Sequence, residues 1–374
     1  MGNRKRPLEG VVTVSAPRIG DVFAGTRVLL TGHTGFKGSW LACWLLDLGA
    51  EVTGYALAPD TTPNLFGALG LAGHLDSRIA DVRDTDALAR VVAAVRPEIV
   101  FHLAAQPLVR RSYAEPSYTL DVNVMGTANL LEAVRSCDAT RVVLNVTTDK
   151  VYANAGTGVP FAEGDPLGGH DVYSASKACS EMVTAAYRAS FFGPDGHPAA
   201  VASARAGNVV GGGDWAADRI VPDIVRALSA GVPVVVRNPD SVRPWEHVIE
   251  PLAGYLAHAA HLREAGAASA TALNFGPSTA WQYTVRDVVE RAIAAWGGGS
   301  WEVPEFGTQP HEASVLKLDT HRAAEVLGWK PVWGFEETID RTIAWYRRYD
   351  EDPASAEALC REDISAYSAV SGVI

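Results

Sequence analysis

Cysteine is scarce in this chain: four residues in 374, at Cys43, Cys137, Cys179 and Cys360, with no CxxC spacing among them. That excludes a disulfide scaffold and a thiolate zinc cluster, and it fits reduced, mostly buried thiols. Positive charge is also short. The formal net charge is −11, and no basic stripe offsets it, so nucleic acid and anionic membranes are poor partners. No segment reaches the roughly 18 apolar residues of a membrane span. The first twenty residues carry Arg4, Lys5 and Arg6 but no apolar stretch of signal-peptide length, which predicts a flexible extension on a cytoplasmic protein. His311-Glu312 lacks the HExxH spacing of a metal site, and no metal is expected.

What is present is alternation. From Arg27, short β-branched runs at Arg27-Thr31, Glu51-Tyr55, Ser77-Ala80, Ile99-Leu103, Arg141-Val146, Ala200-Arg205 and Ala272-Phe275 alternate with helical patterns. These helices are expected near Gly38-Leu48, Asp84-Val95, Asp121-Ser136 and Ser174-Phe192. This is the βαβ pattern of an α/β fold with a Rossmann-type, doubly wound parallel sheet, although the pairing sense of the last strands stays open. Beyond Arg205 the texture turns to glycine, proline and tryptophan, which predicts a smaller α/β substrate domain interleaved with the sheet. The expected division is a 1–24 extension, a nucleotide-binding domain of 25–204 plus about 244–276, a substrate domain of about 205–243 plus 277–350, and a 351–374 tail.

Gly32-His33-Thr34-Gly35-Phe36-Lys37-Gly38 follows the apolar run Val28-Leu30 and opens a helix. Glycines at this spacing permit a tight turn, and a helix N-terminus offers unpaired N–H groups to a pyrophosphate. The acidic residue expected about 20 positions further on, to bind an adenosine ribose, is missing: the second strand ends Thr53-Gly54-Tyr55-Ala56-Leu57. No lysine or arginine occurs between Lys37 and Arg78 either, leaving little to balance a 2′-phosphate, so NAD is favoured over NADP. Asp81-Val82 falls where the third strand ends. Asp81 either contacts adenine or caps the next helix.

Tyr173 and Lys177, four apart, project from one face of a helix, where an ammonium beside a phenol favours phenolate and a general base. Thr148, Asp149 and Lys150 end the apolar run that starts at Val142. The carboxyl end of a strand in an open α/β sheet is where ligands bind. A hydroxyl, a carboxyl and an amine there can bond a substrate hydroxyl, protonate a leaving group and remove a proton from carbon. The residues alone do not assign the last two tasks between Asp149 and Lys150, and a surface ion pair is the plain alternative.

Together these motifs resemble the extended short-chain dehydrogenase/reductase family, and within it the nucleotide-sugar 4,6-dehydratases. The similarity runs from about Arg27 to Tyr349 through the glycine loop, His102-Leu103-Ala104-Ala105-Gln106-Pro107-Leu108-Val109-Arg110, Asp149-Lys150, Arg205-Ala206-Gly207-Asn208-Val209, Gly211-Gly212-Gly213-Asp214-Trp215, Asp218-Arg219, Arg243-Pro244-Trp245 with His247, and Leu327-Gly328-Trp329. Thr148 stands where that family usually has serine, Val151 where it has cysteine, Val172 proline and Glu246 glutamine.

The resemblance implies an NAD-dependent enzyme with CDP-glucose the favoured substrate and Thr148, Asp149, Lys150, Tyr173 and Lys177 catalytic. It places the cofactor against Gly32, Thr34, Gly35, Phe36, Lys37, Gly38, Asp81, Val82, Ala104 and Ala105 besides Tyr173 and Lys177. Arg219 and Arg243 are expected to hold the diphosphate, Asn208 the sugar or diphosphate, and Gln106 and Arg110 to be secondary substrate contacts. It also implies a homodimer through the helices at Asp121-Ser136 and Ser174-Phe192. The rival readings are an epimerase or reductase on the same scaffold, and a non-catalytic dinucleotide sensor.

Overall fold

The structure, a computed structural model, describes residues 19–193, 195–304 and 316–372. Strands β1 (Arg27–Thr31), β2 (Glu51–Ala56), β3 (Asp76–Ile79), β4 (Ile99–His102), β5 (Val142–Val146) and β6 (Ala200–Ala206) join the strand Leu273–Phe275 in one sheet. The order is Leu273–Phe275, β6, β5, β4, β1, β2, β3. Every pairing is parallel, the last strand included. The central strands β4, β5 and β6 are buried along their whole length, as expected where helices cover both faces. The order of strand addition reverses at β1, with β2 and β3 on one side and β4 to β6 on the other, so the crevice beyond β1 and β4 is the switch point at which doubly wound sheets bind ligands.

Three two-stranded pieces build the smaller half. Asn208–Val210 pairs in parallel with Trp245–His247, Val242–Arg243 pairs antiparallel with Tyr283–Thr284, and Val234–Val235 pairs in parallel with Trp301–Glu302. The return towards the nucleotide half therefore comes a few residues after 244: Trp245–His247 still belongs with Asn208–Val210, and the buried helix Ile249–Ala265 then packs under β5 and β6.

Both chain ends depart from expectation within the described residues. Ile19–Phe23 is a short helix, with Phe23 fully buried and stacked on Phe101 at 6.2 Å. The predicted extension thus gives way to core by Ile19, because two apolar side chains suffice to dock one turn. The predicted tail at 351–374 contains the helix Ala356–Ser371, which buries Leu359, Cys360, Ile364 and Tyr367 and packs on the helix Phe36–Asp47. Tyr367 donates to Glu250 Oε2 at 2.7 Å and meets Trp44 edge-on. Its apolar residues recur at helical spacing, which the reading of a tail overlooked. His311-Glu312 lies outside the described residues.

Candidate active site

The glycine loop closes tightly on β4. Gly32 adopts φ +78°, and a Cβ there would lie 2.7 Å from the Leu103 carbonyl carbon and the Ala104 nitrogen. At Gly38 a Cβ would lie 2.0 Å from the Gly32 oxygen. Neither position admits a side chain. Gly35 caps the helix Phe36–Asp47 without any side-chain acceptor, so the first-turn N–H groups are left for a ligand. Gly54 on β2 is required by the loop as well: a Cβ there would be 2.3 Å from the ring of His33, whose Nε2 is 2.8 Å from Ser77 Oγ.

A cavity of about 1420 Å³ opens from this loop. Its wall includes Gly32, Thr34, Gly35, Phe36, Lys37, Gly38, Asp81, Val82, Ala104 and Ala105 on the cofactor side. It continues past Gln106, Arg110, Thr148, Lys150, Tyr173 and Lys177 to Asn208, Arg219 and Arg243. Residues expected on grounds as separate as a glycine loop, a YxxxK pair and a downstream arginine thus converge on one space. The cradle, with its uncapped helix end and sterically obligatory glycines, fits a dinucleotide pyrophosphate.

Asp81 is held by Arg83, which donates from both its backbone and its guanidinium, and this keeps the carboxyl below the usual carboxylate range. The helix that follows is capped by Asp84, which accepts from Ala87 at 2.9 Å, so capping is not the role of Asp81. Asp60, on the loop after β2, also lines the cavity. It lies beyond the end of β2, past the position at which an acidic ribose ligand is expected.

Helix Val172–Phe191 begins at Asp171, whose carboxylate accepts from the Ser174 N–H at 2.9 Å. That start fixes Tyr173 and Lys177 one turn apart, both buried. Lys177 Nζ donates to the Val146 carbonyl at the end of β5 at 3.0 Å. Burial lowers the Lys177 amine to about 8, against the opposing pull of Glu181. The same burial pushes the Tyr173 phenol up to about 12, with Thr148 as the leading opposing influence. The expectation that the lysine depresses the tyrosine is therefore corrected: desolvation of the phenolate wins.

Thr148 donates to Asp149 Oδ1 at 3.0 Å. Asp149 is 1% exposed and its Oδ2 has no hydrogen-bond partner. Lys150 Nζ stands 3.9 Å from Asp149 Oδ1, with a third of its side chain exposed. A pair that is merely solvated on a surface does not bury its acid. Behind them Arg205 grips Glu181 through Nε and Nη2, each at 3.0 Å, and both side chains are buried.

On the substrate side the outcome is mixed. Asn208 Oδ1 is buried and unpartnered, a vacant acceptor on the cavity wall. Arg219 pairs with Asp214 at 2.8 Å, not with Asp218, Asp223 or Glu246. Arg243 Nη1 donates to the Val242 carbonyl at 3.0 Å. Arg110 lies 3.6 Å from Asp218, which Arg237 also holds at 3.0 Å. Gln106, on the cavity wall, donates its amide N–H groups to Leu108 O and Thr119 Oγ1 and accepts from the Leu108 N–H, bonds that shape the loop. Its backbone is held in turn by Asn123, which also donates to Ser176 Oγ at 2.8 Å. Asn123 sits in the π-helical turn Asp121–Met125; no sequence signal marked it, because its partners are distant in the chain.

A family model described as GDP-mannose 4,6 dehydratase matches residues 29–342. A CDP-glucose 4,6-dehydratase of Salmonella typhimurium is 47% identical over 88% of this chain and 92% of that protein. A UDP-glucose 4-epimerase of Mycolicibacterium smegmatis is 31% identical over 86% of this chain and 98% of its own. Among solved structures, a dTDP-glucose 4,6-dehydratase from Streptomyces venezuelae with NAD bound superposes with a TM-score of 0.74 at 25% identity, covering 88% of this chain and 100% of that one. The UDP-glucose 4-epimerase of Thermus thermophilus, in complex with NAD, gives 0.75 at 25% identity over 86% and 99%. With the model spanning most of its length and so similar a relative along nearly all of it, the chain belongs to the GDP-mannose 4,6 dehydratase family of extended short-chain dehydrogenases/reductases.

Proposed function

We propose that the protein is an NAD-dependent lyase that dehydrates CDP-glucose to CDP-4-keto-6-deoxyglucose. The observation that carries this reading is that Lys150 lines the same cavity as Tyr173 and Lys177, with the buried carboxyl of Asp149 3.9 Å from its amine and beside the lining residue Gly207. An epimerase needs only the Tyr-Lys pair; elimination of water needs an acid and a base besides. The nucleotide is taken from the Salmonella relative.

NAD, when bound in the glycine cradle, supplies a hydride acceptor that returns what it takes. The chain's own residues do the rest. Tyr173 removes the proton of the C4 hydroxyl, with Thr148 bonding that hydroxyl and the Lys177 charge supporting the phenolate. The 4-ketone acidifies C5. Lys150, the more exposed of the pair, is the base for the C5 proton, and Asp149, whose Oδ2 has no other partner, gives its proton to the departing C6 hydroxyl. Arg219 and Arg243 bind the diphosphate, Asn208 offers its free oxygen to the sugar, and Arg110 closes the rim.

The substrate half is assigned to about 205–243 with the strand Trp245–His247, plus 277–350, and the enzyme to a homodimer. Its four free cysteines support a cytoplasmic setting. The test is to offer the protein CDP-, UDP-, dTDP- and GDP-glucose and follow the alkaline absorbance of a 4-keto sugar. CDP-glucose is expected to react best. An epimerised product without that absorbance refutes the dehydratase reading, and no turnover of any of them supports the sensor.

A further inference from the structure

One buried acid on the cavity wall has no place in the mechanism above. Asp214 is 5% exposed and lines the cavity beside Arg219, where a carboxylate by itself repels an anionic ligand. Both of its oxygens are engaged: Oδ2 accepts from Arg219 Nη1 at 2.8 Å and Oδ1 from the Ala216 N–H at 3.0 Å. Its backbone is fixed from behind by Tyr346, a buried residue of the helix Phe335–Glu351. The Tyr346 hydroxyl accepts from the Asp214 N–H at 2.9 Å and donates to the Asp214 carbonyl. The glycines before Asp214 are required by close packing. A Cβ at Gly212 would lie 2.0 Å from the Trp345 ring, and Gly213 has φ +84° with Leu65 2.5 Å from where a Cβ would stand. Trp40 Nε1 donates to the Gly212 carbonyl at 2.9 Å, and on the other side Trp215 packs on the rings of Trp345, Tyr346 and Tyr349 at 5.1–6.0 Å.

We infer that Asp214 is a positioning residue for substrate binding: it presets the Arg219 guanidinium for the diphosphate of the nucleotide sugar. The inference rests on the diphosphate role given to Arg219 above and names what orients it. Among the described residues Asp214 is the only partner of that guanidinium, and the bond uses Nη1, so the other N–H groups are left for a ligand. The Arg219 side chain is 34% exposed. Without a fixed partner it would spread over several rotamers, and binding would have to order it. An acid held at both oxygens and along its backbone does not follow the arginine about, so the arginine settles where the acid is. Asp218, the residue before Arg219, does not supply the same hold. It is engaged at the rim, with Arg237 at 3.0 Å and Arg110 at 3.6 Å.

The test compares two probes, CDP and cytidine, each titrated into the full chain with NAD+ present. Asp214→Ala should weaken CDP about tenfold and leave cytidine within about twofold, because cytidine has no phosphate for Arg219 to meet. Asp214→Asn keeps the shape and one acceptor oxygen. It should show a smaller loss of the same kind, and it carries the test if the alanine variant does not fold. Arg219→Ala should also weaken CDP selectively, and adding Asp214→Ala to it should change CDP affinity by less than about twofold. An aspartate that only supports its loop would weaken binding in both backgrounds alike. Equal loss of CDP and cytidine overturns the inference, as does a further loss in the Arg219→Ala background. Unchanged or tighter CDP binding in Asp214→Ala overturns it too, the latter making the acid a competitor of the phosphate. So does a wild type that binds CDP no better than cytidine. Failure of the dehydratase reading is separately visible, as absence of a 4-keto product from a wild type that does bind CDP.

Discussion

In the proposed mechanism Tyr173 loses a proton that its surroundings oppose. Burial pushes its phenol up to about 12, while the amine meant to help it is itself lowered to about 8. Raising the pH populates phenolate but also begins to discharge Lys177, so these two groups pull the rate in opposite directions above neutrality. Tyr173→Phe removes the base and should abolish C4 oxidation while dinucleotide still binds; near wild-type turnover would mean the base is elsewhere. In Lys177→Met the phenolate loses its cation. Activity at neutral pH should fall by about 10²-fold or more and recover in part as the pH is raised, whereas a pH-independent defect would reduce Lys177 to a structural part. Asp149→Asn and Lys150→Met act later in the cycle. Both should permit hydride abstraction and accumulate bound NADH. Solvent deuterium should enter C5 in the Asp149 variant and not in the Lys150 variant; the reverse pattern exchanges their roles, and normal product formation in both returns them to a surface ion pair.

Between elements, the site depends on a buried ion pair that joins β6 to the catalytic helix. Besides Glu181, Arg205 donates to Tyr152 OH at 2.8 Å, and Tyr152 in turn donates to Asn274 at 2.6 Å. Thr147 donates to the same carboxylate. One guanidinium thus ties helix Val172–Phe191, the turn carrying Asp149 and Lys150, and the edge strand Leu273–Phe275. Glu181→Gln leaves Arg205 buried without its counter-ion and should cost about 3–5 kcal/mol, read as a lower midpoint in thermal or urea unfolding. A loss under 1 kcal/mol would show that the pair is not a clamp. The sequence announced Arg205 only as part of a motif, because a side chain's partners across the sheet have no signature at fixed spacing. Local signals fared better. The glycine loop, the run into Thr148 and the Tyr-Lys spacing each state their geometry within a few residues, and the structure brings them to one cavity. Asn123 carries no signal of its own because it serves a loop whose other half, at Gln106, lies elsewhere in the chain.

The molecule as a whole leaves apolar side chains uncovered on one set of neighbouring helices. Tyr113 on Val109–Ala114, Leu120 on Pro116–Leu120, Met125 on Asp121–Met125, and Met182 and Phe191 on Val172–Phe191 are each 40–52% exposed. These helices pack on one another, so the five lie on adjoining elements. Single exposed apolar residues need no explanation, but a group on adjoining helices marks an interaction surface. A twofold dimer would bury it against its own copy, since an isologous interface needs only one self-complementary patch. The catalytic helix would then be braced on both sides, by the sheet within its own subunit and by the partner beyond. Sedimentation at micromolar concentration is expected to give twice the mass of the 39.7 kDa chain. Met182→Lys, at the centre of the long helix and with its side chain already half in solvent, would put a like charge on the same apolar surface of each copy. It should shift the protein towards monomer without unfolding it, and high salt should partly reverse that shift by screening. A wild type that sediments as a monomer at these concentrations, or a dimer indifferent to the lysine, would place the interface elsewhere.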